Sequence, residues 1–133
     1  MYDDDSLESQ FNFIKNTENL IWFATEFLHT VDGKNFNRHI VPKYNNLIWT
    51  GTNMIGCPSV ITIKNENLIF FDEGLNWLMD CDYYKKMYDN FGEPKILNKI
   101  SVAIRTSGGR LSNTISQELK DKEIEFIHQR YTY

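Results

Sequence analysis

Apolar positions in this chain recur at intervals that shift from helical to strand-like and back. Between residues 6 and 31, Phe13, Thr17, Leu20, Ala24, Phe27 and Val31 follow at spacings of 4, 3, 4, 3 and 4, which places them on one stripe of an α-helix. Ser6 stands where an N-cap is needed, and Asp3, Asp4, Asp5 and Glu8 suit the positive end of the helix dipole. The asparagines at 16 and 19 are the weak point of this helix and could divide it. Trp22 and Phe23 fall off the stripe, so they need a second core contact or an exposed aromatic surface.

Beyond the turn at Asp32, Gly33, Lys34 and Asn35, the pattern shortens to β-rich runs at 36–41, 47–52, 59–64 and 68–72. Pro42 and Pro58 favour edges or strand starts. The segments ITIK and LIFF, separated by Asn65, Glu66 and Asn67, read as a hairpin, and the apolar run 69–71 predicts a strand buried on both faces. Helical spacing returns at 75–90. Trp77, Cys81, Tyr84, Tyr88 and Phe91 form an aromatic stripe, Asp72 is placed to cap its start, and Gly92 with Pro94 ends it.

The last stretch predicts a strand at 101–106, a turn through Ser107, Gly108, Gly109 and Arg110, a helix carrying Leu111, Ile115 and Leu119, and a final strand over 125–133. Together these elements predict a single α+β domain over residues 1–133. It has an N-terminal helix, a mostly antiparallel sheet with the 75–90 helix packed on it, and a C-terminal β-α-β unit.

Composition supports a globular reading. The 133 residues are 41% hydrophobic and 14% aromatic, and a chain of this size buries roughly two-thirds of its unfolded surface. Eighteen acids against fourteen bases give a net charge of −4, the wrong sign for a dedicated nucleic-acid binder and the right one for a basic partner. The acidic N-terminus is unlike a secretory signal, and no apolar stretch approaches the roughly 20 residues that span a bilayer. A cytoplasmic location without membrane contact is therefore expected. Cys57 and Cys81 lack any metal or redox spacing and read as free thiols.

Candidate chemistry is sparse. His39 and His128, with Arg105 or Lys43, could serve as an acid, a base and a cation in a small nucleotide- or RNA-directed enzyme or binder. The turn at Ser107, Gly108, Gly109 and Arg110, with Arg105 before it, offers backbone N–H groups to an anion, although two glycines also suit a plain strand-to-helix joint. No metal-binding spacing, cofactor motif or nucleophile elbow occurs. Asp80, Asp82, Asp89 and Glu93 form an acidic neighbourhood that reads as a solvated face or as a docking surface for a basic protein. Trp22 and Trp49 are candidate anchors for such a partner.

A small, acidic, aromatic-rich chain with this sparse chemistry resembles, in general make-up over its whole length, the immunity proteins of bacterial toxin systems, including those of contact-dependent growth inhibition. The resemblance implies a non-enzymatic antitoxin that binds a cognate toxin, often a basic nuclease, and occludes its active site without a cofactor. Direct nucleic-acid binding is not expected, and the oligomeric state is left open.

Overall fold

The computed structural model describes residues 4–66, 68–106 and 114–132, with the side chain of Asn37 left aside. They gather in two compact units between which the chain passes repeatedly. The first comprises Met1–Lys43, Ile55–Glu66 and Pro94–Ser107, and the second Tyr44–Met54, Asn67–Glu93 and Gly108–Tyr133. The predicted α+β class, with an N-terminal helix and a mostly antiparallel sheet, is what the chain forms.

In the first unit the predicted long helix is two elements. Helix α1 spans Ser6–Asn16, and strand β1 spans Trp22–Thr30. The chain leaves α1 at Thr17 in extended backbone, and Asn19 takes a left-handed φ of 55°, which an asparagine tolerates better than most residues. From Ile21 to Leu28 the sequence is almost continuously apolar, so a helix would have no wet side. A strand covered on both faces solves this. Trp22, Phe23 and Ala24 are 2%, 1% and 0% exposed, and the aromatics that fell off the helical stripe head the two faces of β1.

Among the described residues, every other strand pairs with β1. Strand β2 (Phe36–Ile40) and strand β3 (Ile61–Ile63) run antiparallel to it, and strand β4 (Lys95–Arg105) runs parallel. β4 accompanies β1 from Phe23 to Thr30, so β2 and β3 must share the opposite edge. β3 takes Trp22 to Ala24, and β2 takes Phe27 to Thr30. The parallel register shifts on either side of Glu26; near these bulges the buried hydroxyls of Thr25 and Ser101 meet. Helix α1 lies on this sheet, with Phe13 edge-on to Phe23 at 4.9 Å and Lys99 Nζ 3.0 Å from Asp5.

The β1–β2 turn is closed by Asp32, whose Oδ1 accepts the N–H groups of Lys34 and Asn35, each at 2.8 Å.

Helix α2 (Met79–Phe91) and helix α3 (Gln117–Tyr131) make the second unit, with a single turn of 3₁₀ helix at Ile48–Thr50 packed on both. Its core holds Ile48, Leu75, Leu78, Tyr84, Met87 and Ile127. Helix α2 belongs to this unit, with α3. It starts later than expected, because Asp72 receives the Gly74 N–H and closes a turn ahead of the helix instead of capping it.

Three predicted strands are absent. Residues 48–50 form the 3₁₀ turn, and 68–71 lie outside any ladder, so β3 pairs with β1 and not with LIFF. The predicted C-terminal strand is the second half of α3, and no strand follows β4 among the described residues, so the β-α-β unit is not formed. Glu123, Ile127 and Arg130 recur at helical spacing, and Ser116 caps α3 by accepting the Leu119 N–H. Part of the predicted 111–119 helix, together with the glycine turn before it, lies outside the described residues.

Two tests follow. Gly56 has a φ of +118°, and a Cβ there would sit 2.8 Å from the buried Phe27 ring. Gly56→Ala therefore combines backbone strain with overpacking and should cost about 3 kcal/mol in urea unfolding; an unchanged midpoint would contradict the packing of Phe27. The backbone N–H groups of Asn35 and Lys34 hold the Asp32 carboxyl down at about 2 against an ordinary 3.8. A depressed carboxylate stabilises the fold above its unfolded pKa and loses that contribution as protons bind. Asp32→Asn should thus be less stable than the parent at neutral pH, and the two should converge as pH falls from 3.8 towards about 2. A stability gap that ignores pH would refute this.

Candidate functional site

Asp82, on the first turn of α2, is completely enclosed. A bare carboxylate in such a place costs several kcal/mol, roughly, unless donors surround it. Helix α3 supplies two of them. Arg130 Nη1 donates to Oδ1 at 2.8 Å, and the Tyr131 hydroxyl donates to the same oxygen at 2.6 Å. Lys86, one turn further along α2, places Nζ 2.9 Å from Oδ2 as an ion pair without hydrogen-bond alignment. Arg130 then extends the cluster, since its Nη2 donates to Asp72 Oδ2 at 2.6 Å.

The hydrogen bond from Arg130, helped by the Gly74 N–H, holds the Asp72 carboxyl below its usual range. Burial disfavours the Arg130 charge, but the hydrogen bonds to Asp72 and Asp82 outweigh it and hold the guanidinium firmly protonated. Burial and the hydrogen bond to Asp82 push the Tyr131 phenol up, so it remains a donor.

A second carboxylate binds α3 to the start of α2. Glu123 is 4% exposed and accepts the backbone N–H groups of Asn76 and Trp77, the latter at 2.9 Å to Oε2. The Lys120 ammonium stands 5.2 Å over the Trp77 ring. These polar ties fix two segments that carry exposed aromatics. Phe70 and Phe71 precede Asp72, and Phe71 stacks on Tyr83 at 4.2 Å. Phe126 lies under the Arg130 guanidinium, which is 4.7 Å from its ring centre. Phe70 is 74% exposed, Phe126 48% and Phe71 36%. Of these three exposed rings, Phe126 lies against the Arg130 guanidinium, whose own charge is satisfied within the fold, and Phe70 and Phe71 precede Asp72, which that guanidinium holds.

The surrounding charge is one-sided. The first unit carries eight acids and eight bases, whereas the second carries ten acids and six bases, so the whole net charge of −4 falls in the second. Glu73, Asp89, Glu93, Glu118, Asp121 and Glu125 are exposed there.

Of the acids singled out in the sequence, Asp89 and Glu93 reach the surface, with Asp89 ion-paired to Lys85 at 2.5 Å. Asp80 is half-buried and accepts from the Cys81 N–H and the Asn53 side chain. Two expectations are corrected. Asp82 belongs to the internal cluster, and Trp22 is a core residue of β1, so neither is free to meet a partner. Trp49 is half-buried in the second unit with its ring 5.3 Å from that of His128.

The residues proposed for anion chemistry are placed as follows. His39 contacts Glu26 at 2.6 Å in the first unit, and His128 belongs to the second. Arg105 is exposed and donates to the Asp32 carbonyl at 3.2 Å. Ser107, Gly108, Gly109 and Arg110 lie outside the described residues. Cys57 and Cys81 are free thiols, and burial, with Asp80 alongside, pushes the Cys81 thiol up to about 12. Among the described residues no group of three or more His, Cys, Asp or Glu side chains could hold a metal, and no helix is long and apolar enough to cross a membrane.

The sequence pattern overlooked Phe70, Phe71, Phe126 and Arg130 as surface candidates. The first two were assigned to a buried strand and Phe126 to a strand that is a helix. The available signal was the run of charged residues from 117 to 125, which gives the segment before Phe126 a solvated helical side. Compared with protein families, with characterised proteins and with solved structures, the chain matches none of them.

Arg130 is the testable joint. Arg130→Met leaves Asp82 enclosed without its guanidinium and should cost about 3 to 5 kcal/mol in chemical unfolding. Arg130→Lys should recover little, because one ammonium cannot bridge two carboxylates as a planar fork does. Full stability in Arg130→Lys would show that the bridging geometry contributes nothing.

Proposed function

We propose that this chain is a non-enzymatic, cytoplasmic immunity protein, an antitoxin that binds a cognate bacterial toxin, a basic nuclease, and occludes its active site. The observation that carries this reading is the coincidence, in one unit, of the entire acidic excess with the exposed rings of Phe70, Phe71 and Phe126. Aromatic side chains next to a fixed arginine supply contact energy at protein interfaces, while exposed acids speed the encounter with a basic surface. The Arg130 cluster favours the reading because it fixes Phe126 before any partner arrives, so less rotamer freedom is lost on binding.

The experiment is a binding titration of this chain against the toxin domain of a secreted protein, should one be encoded beside it, and otherwise against a panel of basic bacterial nuclease toxin domains. Phe70→Ala and Phe126→Ala should each weaken the complex about 30-fold, the effect of losing an anchor of about 2 kcal/mol, and nuclease inhibition should weaken in parallel. Asp89→Asn with Glu93→Gln should slow association and flatten its salt dependence while changing dissociation little. Tight binding that all four substitutions leave unchanged would refute the surface, and no binding to any of these toxin domains would refute the function.

A further inference from the structure

Helix α1 is seated on the sheet with its most apolar side turned outward. Ser6 is 1% exposed and Phe13 packs on Phe23, whereas Leu7, Phe11 and Ile14 are 69%, 64% and 47% exposed. Those three positions, spaced four and three apart, form a stripe along the outer face of the helix. At its C-terminal end the stripe runs into a hollow of about 330 Å³ lined by Ile14, Leu20, Ile21 and Ile63. The apolar row thus ends beside a mixed but mainly apolar hollow, whose wall Thr17, Asn19, Thr62 and Lys64 complete, so knob and hole adjoin on one face.

The charges beside the stripe decide what covers it. Glu8 and Lys15 follow Leu7 and Ile14 by one residue and lie on the same flank. Among the described residues neither has an ion-pair partner. A flank acidic at its start and basic at its end complements itself when a second helix runs antiparallel to it.

We infer that a second copy of this chain covers α1, in a two-fold dimer with Phe11 near the axis, Glu8 of each copy facing Lys15 of the other, and each Leu7 directed to the other copy's hollow. An isologous contact needs this self-complementarity; the helix provides it in charge, and the helix with the adjoining hollow provides it in shape. An 11-residue helix is only about 16 Å long, so the contact falls below the roughly 1,200 Å² of a standard interface. The dimer is therefore weak and concentration-dependent.

Sedimentation equilibrium of the full chain over the micromolar to millimolar range tests this. A monomer–dimer equilibrium is expected, and Phe11→Asp should weaken it at least about tenfold, since a charge is buried at the axis. Phe11 is solvent-exposed in the single chain, so the variant should keep the parent's thermal unfolding curve. Glu8→Lys and Lys15→Glu should each weaken the dimer about three- to tenfold, as expected for rim charges placed against like charges, and the double exchange should restore it. A chain that stays monomeric throughout overturns the inference, as does a dimer indifferent to Phe11→Asp or a double exchange no better than the single changes. Loss of toxin binding on Phe11→Asp in a strictly monomeric chain would assign the stripe to the toxin and equally overturn it.

Discussion

A carboxylate with no exposed surface constrains everything near it, and in the second unit that carboxylate is Asp82. It sits on α2, but Lys86 alone on that helix does not satisfy it; the aligned donors, Arg130 and Tyr131, are on α3. The two helices are therefore committed to one relative placement, because sliding α3 by a turn would strip the acid of both donors. Arg130 passes the constraint on to Asp72 and so to the turn ahead of α2. Glu123 adds a second fixed point by taking up two backbone N–H groups of that same stretch. Buried ion pairs add little net stability, yet removing one partner is costly. Their consequence here is a single defined arrangement, since the apolar core of this unit would tolerate sliding of the helices that these polar contacts do not.

The first unit is built on the opposite principle. β1 carries almost no charge, is covered on both faces and bonds to all three other strands. Its parallel pairing with β4 is interrupted by register shifts on either side of Glu26. Proton binding therefore threatens the two units unequally. In the second, Arg130 and the N–H of Gly74 hold the Asp72 carboxyl below its ordinary range, so protonation removes an interaction that joins elements. In the first, Asp32 closes a surface turn, and its protonation leaves the core of the sheet intact.

How much of this was legible in the sequence depended on whether a segment had a wet side. α2 is legible as a helix because Cys81, Tyr84 and Tyr88 leave a polar face between them, although its start falls at Met79 and not at 75, and Asp72 pairs with Arg130, remote in sequence, instead of capping it. β1 was misread because a strand buried on both faces contains every periodicity, including the helical one. The second half of α3 was misread for the complementary reason. Ile124, Phe126 and His128 alternate as a strand would, and only the burial of Glu123 and Ile127 on one side decides for the helix. The α+β class survived these errors because exchanging one strand for one helix at either end preserves the mixture. The candidate surface was half legible. Charge sign and the exposed Asp89 and Glu93 could be read locally, but Asp82 and Trp22 looked available because burial is set by partners that are distant in the chain.

The internal cluster also determines which groups the proposed binding surface would use. Arg130 faces two carboxylates at 2.6 and 2.8 Å, so its charge is spent inside the fold and exerts little field on an approaching molecule. In the proposed complex, long-range attraction would come from acids outside that cluster, such as Glu93 and Glu125. Contact energy would come from the rings, and Phe126 lies against the very guanidinium that Asp72 and Asp82 hold. Under the proposed function, steering and anchoring would thus rest on different residues. Neutralising an exposed acid would alter the rate of encounter, whereas loosening Asp82 would change the position of Phe126 and reach the bound state without Asp82 touching the partner.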